Sequence, residues 1–200
     1  MSRRPERSEL DASKRERLFD RARALWRRHG PIRLSMDQVT REAAVSKRTL
    51  YKYYKSRDAF IAALIDYDAE QWREWFWDAV AGREMDTQPG IQAFLDVLRL
   101  WLASDGFRGV LFAGAPFAYQ GAMPDCIATT TRRHVDLLRG LLAEHLRASG
   151  VRDPEGVAAQ VLAPVLVLLS GVADAIPGTE SSSSAQSALM DLLHGVLSTP

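Results

Sequence analysis

Three observations predict a globular all-α chain. Apolar residues recur at intervals of three and four wherever turn signals leave a long enough run, and no stretch alternates apolar and polar residues as a half-buried strand would. The third is composition: 46% hydrophobic against 26% charged residues over 200 positions is the balance of a chain with a buried core. Thirteen Gly and nine Pro are ordinary, and no internal period is visible, which excludes fibrous, solenoid and disordered classes. About nine helices are expected. They fall into a small amino-terminal three-helix unit over residues 1–56, with a basic start over about 1–11 expected to be disordered, and a larger helical unit over residues 57–200.

The first helix is expected from Ala12 to His29, with Leu18, Ala22, Leu25 and Trp26 on one stripe and Gly30-Pro31 as its stop; its other faces are rich in arginine. Ser35 is placed to cap a short second helix running to Ala43, and Gln38, three residues on, to close a capping box. Ala44-Val45 then forms a tight break. Ser46 can cap a third helix through Tyr54, so that two short helices meet across a turn of three or four residues in a helix-turn-helix pattern.

After Ser56 a long helix carries Phe60, Leu64, Trp72, Trp75 and Phe76 and is expected to end near Gly82, with the domain boundary in its first turns. Further helices are expected near Gly90 to Ala103, Phe107 to Tyr119, Asp125 to Ala148, Asp153 to Ile176 and Ser184 to Leu197. Asp153-Pro154-Glu155 combines a cap, a proline at the first helical position and an acid favoured by the helix dipole. Pro177-Gly178 and Ser181 to Ser184 read as a flexible surface connection. Val157 to Ala173 is the most apolar stretch, but it falls short of the roughly 20 residues a membrane span needs and lacks flanking Lys or Arg, so a buried helix is expected and no membrane partner.

Charge is divided along the chain. Residues 1–60 hold 17 Lys and Arg against 8 Asp and Glu, while the remaining 140 hold 9 against 17. One end is therefore suited to a polyanion and the other to a different task. Cys126 is the only cysteine, which excludes an intramolecular disulfide and a cysteine-rich zinc site and fits a reducing cytoplasm. No apolar signal-peptide core follows the polar residues Met1 to Arg7, so export is not expected.

In the third helix, Leu50 and Tyr54 at i and i+4 share the packed side. With a rotation of roughly 100° per residue, the opposite side is centred on Lys52, with Arg48 about 40° and Thr49 about 60° away and Tyr51 and Tyr53 on the flanks. Arg and Lys donate to guanine or phosphate, the Thr methyl can meet a thymine methyl, and Tyr hydroxyls reach phosphate oxygens. Lys55 and Arg57 sit at the following turn, beside a helix amino terminus that offers further donors.

The run Val45-Ser46-Lys47-Arg48-Thr49-Leu50-Tyr51-Lys52-Tyr53-Tyr54-Lys55-Ser56-Arg57-Asp58-Ala59-Phe60 resembles the recognition helix of TetR-family transcriptional regulators and the start of the helix after it. Ala22, Leu25, Trp26 and Gly30 resemble that family's first-helix core and stop, and Ser35 to Ala43 its second helix, so the resemblance covers about residues 15 to 65. It departs at Ala44, where the family has a glycine, at Arg48, where a small residue is common, at Tyr54 in place of phenylalanine and at Arg57 in place of a frequent lysine. The resemblance implies DNA contacts by Thr49, Tyr51, Lys52 and Tyr53, with Arg57 at the backbone. Together with the wheel argument, the expected DNA-binding set is Ser35, Lys47, Arg48, Thr49, Tyr51, Lys52, Tyr53, Lys55 and Arg57. It also implies a ligand-responsive homodimer, by family habit a repressor, acting on double-stranded DNA at a near-palindromic operator.

Beyond residue 65 the sequence is less specific. Trp72, Trp75, Phe76, Trp101, Phe107, Phe112, Phe117, Tyr119 and Met123 concentrate aromatic and soft side chains that could line an apolar ligand pocket, although aromatics at helical spacing also build plain core. Asp66, Asp68, Glu70, Glu74 and Asp78 read as a solvated helix face. Two apolar helices at the end of the chain could bury each other or pair across a two-fold axis, which makes Leu162, Leu166, Leu169, Leu189, Leu192, Leu193 and Val196 dimer-interface candidates. His29, His134, His145 and His194 lack metal-ligand spacing and are expected at the surface or at caps; no catalytic set, metal site or cofactor is expected. An all-helical enzyme, an oligomeric scaffold and a basic membrane-surface protein remain as rivals, the last because Ala12 to His29 is partly amphipathic.

Overall fold

The computed structural model of the chain describes residues 12–86, 91–104, 107, 109–171 and 182–197, and every regular element among them is helical. In order these are α1 (Ala12–His29), α2 (Met36–Glu42), α3 (Lys47–Tyr53), α4 (Arg57–Asp86), α5 (Ile91–Leu102), α6 (Leu111–Tyr119), α7 (Asp125–Ala148), α8 (Pro154–Ser170) and α9 (Ser182–Leu197). The basic start at 1–11 and the connection at Pro177-Gly178 lie outside the described residues.

The amino-terminal unit is built on α1, which buries Leu18, Phe19, Ala22, Leu25 and Trp26. Burial of a Leu or Phe side chain is worth roughly 1.5–3 kcal/mol, and here it joins α1 to α2 and to the start of α4. Phe19 stacks on Phe60 and Tyr67 of α4 at ring-centroid distances of 5.8 and 4.8 Å and meets Tyr54 edge-on at 5.9 Å. Leu50 anchors α3 with 1% of its surface exposed.

The turn between α2 and α3 follows from its hydrogen bonds. Ala44 N donates to Arg41 O and Val45 N to Thr40 O, the Schellman pattern that satisfies the last carbonyls of a helix. The pattern needs a left-handed residue, and Ala44 takes it with φ +52°. The end of α7 repeats the motif, with Gly150 N on Arg147 O and Val151 N on Leu146 O, but there a glycine holds the left-handed position at φ +78°.

Helices α4 to α9 form the larger body. The 30-residue α4 packs on α1, α5, α6 and α7, and α8 lies against α6, α7 and α9. Four expectations are corrected. Gly82 does not stop α4, which runs on to Asp86 because Gly82 keeps an ordinary negative φ and breaks no hydrogen-bond ladder. The sixth helix begins at Leu111 rather than Phe107, since Gly109 at φ +73° lies on the Ser170 carbonyl, where a Cβ would come within 2.5 Å. α8 ends at Ser170, capped by the left-handed Gly171, instead of reaching Ile176. α9 starts at Ser182, two residues earlier than expected.

Two dimer-interface candidates also move. Leu169 and Leu193 are 1% and 0% exposed, packed within the chain's own core. Leu162, Leu166, Leu189 and Val196 are half-buried against it, and Leu192 is 55% exposed. The stripe of α9 that faces α8 and α5 uses Met190 and Leu193, which turns Leu192 outward. Among the described residues no helix is long and apolar enough to cross a membrane.

Candidate nucleic-acid interface

The reading edge is set by how α3 is capped and seated. Ser46 Oγ accepts from Thr49 N at 3.0 Å, satisfying an orphan amide at the start of α3, and lies 2.8 Å from the Thr49 hydroxyl. Leu50 faces inward, and Tyr54, just past the helix, packs edge-on against Phe60 at 5.2 Å; burial raises the Tyr54 pKa above its ordinary 10.0. With that side committed, Lys47, Arg48, Tyr51 and Lys52 are exposed, while Thr49 and Tyr53 are half-buried. Lys52 Nζ sits 5.5 Å from the centre of the Tyr53 ring, a cation–π contact that holds the ammonium along the helix flank. Lys47 pairs with Asp37 at 2.8 Å across the helix-turn-helix, an exposed bridge that polyanion binding can exchange. Lys55 is exposed at the following turn.

Two members of the expected set are placed differently. Ser35 stands at the N-cap of α2 with extended backbone angles, but its side chain makes no cap hydrogen bond, so the capping box with Gln38 does not form. Arg57 turns inward. Its guanidinium donates to the carbonyls of Leu34 at 3.2 Å, Ile32 at 3.1 Å and Pro31, and its Nη1 lies 3.3 Å from Asp58 Oδ1. Arg57 therefore clamps the α1–α2 turn onto α4, a task for which a planar five-donor fork suits better than a lysine ammonium.

The aromatic candidates divide. Trp72, Phe107, Phe112 and Tyr119 are buried, Trp101 and Met123 are half-buried, and Trp75 and Phe117 are 49% and 43% exposed. Trp72 lies 5.9 Å from both Trp101 and Phe112, and Phe107 meets Trp101 edge-on at 4.8 Å, so these rings largely fill core. Trp72, Trp75 and Trp101 also border a cleft of about 180 Å³, and Phe117 borders one of about 470 Å³.

The sequence reading missed the junction that holds the basic unit to the body. Asp68, assigned to a solvated face, is 3% exposed. It accepts from Leu111 N at 2.9 Å, capping α6 from outside, and lies 3.5 Å from Arg23 and 3.9 Å from Arg27 of α1. Burial raises its pKa, opposed first by the Leu111 amide and then by Arg27 and Arg23. His134, expected at the surface, is 3% exposed; its Nε2 lies 2.8 Å from Asp66 and its Nδ1 3.4 Å from Arg73. Burial lowers its pKa below 6.5 against the pull of Asp66. His145 is half-buried, stacked 4.4 Å from Trp77. Asp66 and Asp68 stand two residues apart on α4, yet they face different neighbours, His134 and Arg133 for the first and Leu111, Arg23 and Arg27 for the second.

A capped helix-turn-helix whose outward edge is basic, carried on a larger helical body, has the build of helical DNA-binding proteins. Residues 18–64 match the family described as bacterial regulatory proteins, tetR family. Solved structures share the fold over nearly the whole chain. A TetR-family transcriptional regulator from Streptomyces coelicolor is 19% identical with a TM-score of 0.71, covering 94% of this chain and 95% of that one. The reduced form of NemR from E. coli is 16% identical with a TM-score of 0.70, over 94% and 98%. A transcriptional regulator from Rhodococcus sp. RHA1 is 21% identical with a TM-score of 0.70, over 91% and 95%. Among curated proteins none matches the chain in sequence.

Proposed function

We propose that the chain is a homodimeric, sequence-specific DNA-binding repressor that a small apolar or aromatic ligand releases from its operator. Residues 1–56 act as the reading head and residues 57–200 as the ligand-binding and dimerisation body. The observation that carries this reading is the outward edge of α3, where Arg48, Tyr51 and Lys52 are exposed while Leu50 is sealed beneath them. That edge has the width and donors of a major-groove reader, with Lys47, Lys55 and the flanking tyrosines available to phosphates.

Dimerisation uses the outer faces of α8 and α9, where Leu162, Leu166, Leu189, Leu192 and Val196 are exposed or half-buried in the single chain. A four-helix arrangement about a two-fold axis would cover them and set two α3 helices into successive major grooves. The charge division supports the same reading, since the acidic body keeps the polyanion on the basic end. The long α4 reaches from Arg57 at the reading head into the body, so a ligand that favours one packing of the body shifts the spacing of the heads.

The test is selection of bound sequences from random duplex DNA. The expected product is a near-palindromic consensus with half-sites about one helical turn apart, and recovery of no enriched sequence overturns the reading.

A further inference from the structure

We propose that the seam between the reading head and the body binds an aromatic carboxylate, with the carboxylate on Arg27 and the ring held between Trp26, Pro31 and Phe117. The cleft of about 470 Å³ lies where the end of α1 and its following turn face Gly109 to Ala118 and the end of α8. Its size falls within the roughly 300–1,000 Å³ of small-molecule sites.

The ligand class follows from the lining. Trp26, Pro31, Val110, Leu111 and Phe117 give an apolar wall with flat faces, and Phe117 stands 43% exposed at its rim. None of the lining residues is acidic, and the charge they contribute is the Arg27 guanidinium, whose side chain is 32% exposed. An apolar body with one anionic end fits this arrangement, and a guanidinium pairs with a carboxylate through two parallel N–H bonds.

The position also supplies a consequence. Arg27 Nη2 reaches Gly109 O at 3.4 Å and Asp68 Oδ1 at 3.9 Å, both long, and Arg27 borders the neighbouring cleft that Asp68, Trp72 and Trp101 line. A ligand carboxylate competes with Asp68 for the same guanidinium. Because Asp68 also caps α6 through Leu111 N, occupancy of the seam alters how α1 is tied to α4 and α6 together. The site thus lies on the connection between the two units and not inside the helical body. Its regulatory consequence rests on the DNA-binding reading above, whereas ligand binding itself does not.

The experiment is calorimetric titration of the full chain, without DNA, with benzoate, 2-naphthoate and indole-3-acetate, and with neutral 2-naphthalenemethanol as comparison. At least one acid is expected to bind, with 2-naphthoate tighter than its neutral counterpart by about tenfold or more. Arg27→Gln removes that preference, Arg21→Gln on the exposed face of α1 keeps it, and Ala118→Trp, which fills the cleft, weakens the acid by about tenfold or more. No binding of any acid at about 5 mM, equal affinity for acid and alcohol, or undiminished acid binding by a cooperatively folded Ala118→Trp overturns the site. Acid binding that leaves the affinity for selected duplex unchanged overturns its regulatory role. A chain that binds the acid but no duplex supports the site and overturns the DNA-binding reading.

Discussion

Ala44 carries the clearest residue-scale tension in the molecule. Its φ of +52° places a Cβ in the left-handed region, at a penalty of about 1 kcal/mol, because the Schellman end of α2 requires that geometry whatever residue supplies it. Ala44→Gly is therefore expected to raise the urea unfolding midpoint by about 0.5–1 kcal/mol of stability; a lower midpoint would mean that the turn is held differently. Ser46→Ala removes the bond to Thr49 N and is expected to cost about 1 kcal/mol, read by the same unfolding series. His134 makes a pH prediction. Its folded-state pKa is lowered below 6.5 by burial, so below that pH the unfolded chain binds its proton more readily. The stability it contributes is present above 6.5 and lost as pH falls through the folded value. Around it lie Asp66, Arg73, Arg133 and the Phe112 ring. Replacing His134 with Gln is expected to flatten the fall of the unfolding midpoint on the acid side of 6.5, and an identical pH response in the two chains counts against the buried neutral imidazole.

At the scale of elements, periodicity and caps made most helices legible. Asp153 caps α8 by accepting from Gly156 N at 3.1 Å, and Ser46 caps α3 as its position suggested. What periodicity could not supply was which side of an apolar helix meets its own chain. α9 has a broad apolar face, and only the packing of α5 and α8 against Met190 and Leu193 turns Leu192 outward. The two leucines therefore separate assembly from folding. Leu192→Glu is expected to yield a folded monomer in analytical ultracentrifugation, while Leu193→Glu buries a charge in the core and lowers stability by several kcal/mol. A folded Leu192→Glu chain that still sediments as a dimer would place the interface elsewhere. The same limit hid Asp68 and Arg57: both are polar residues whose partners lie more than twenty positions away, and no local pattern reports a contact of that range.

For the molecule as a whole, the division of charge survives folding as a basic reading edge on α3 joined to an acidic body through the Arg57 clamp and the Asp68 junction. The helix-turn-helix was legible because its chemistry is local: a cap, a turn and a seven-residue helix with one buried leucine. The cleft at the seam was less so, since it is assembled from α1, α6 and α8 and exists only once they meet. The proposed function requires the exposed edge of α3 to read base pairs. The most direct measurement is the affinity of the chain and its Arg48→Ala, Lys52→Ala double variant for a selected duplex and for a scrambled duplex at the same salt. The double variant is expected to stay folded and dimeric, to lose about tenfold or more for the selected duplex, and to lose much less for the scrambled one. Undiminished affinity for the selected duplex, or an equal loss on both, would contradict it.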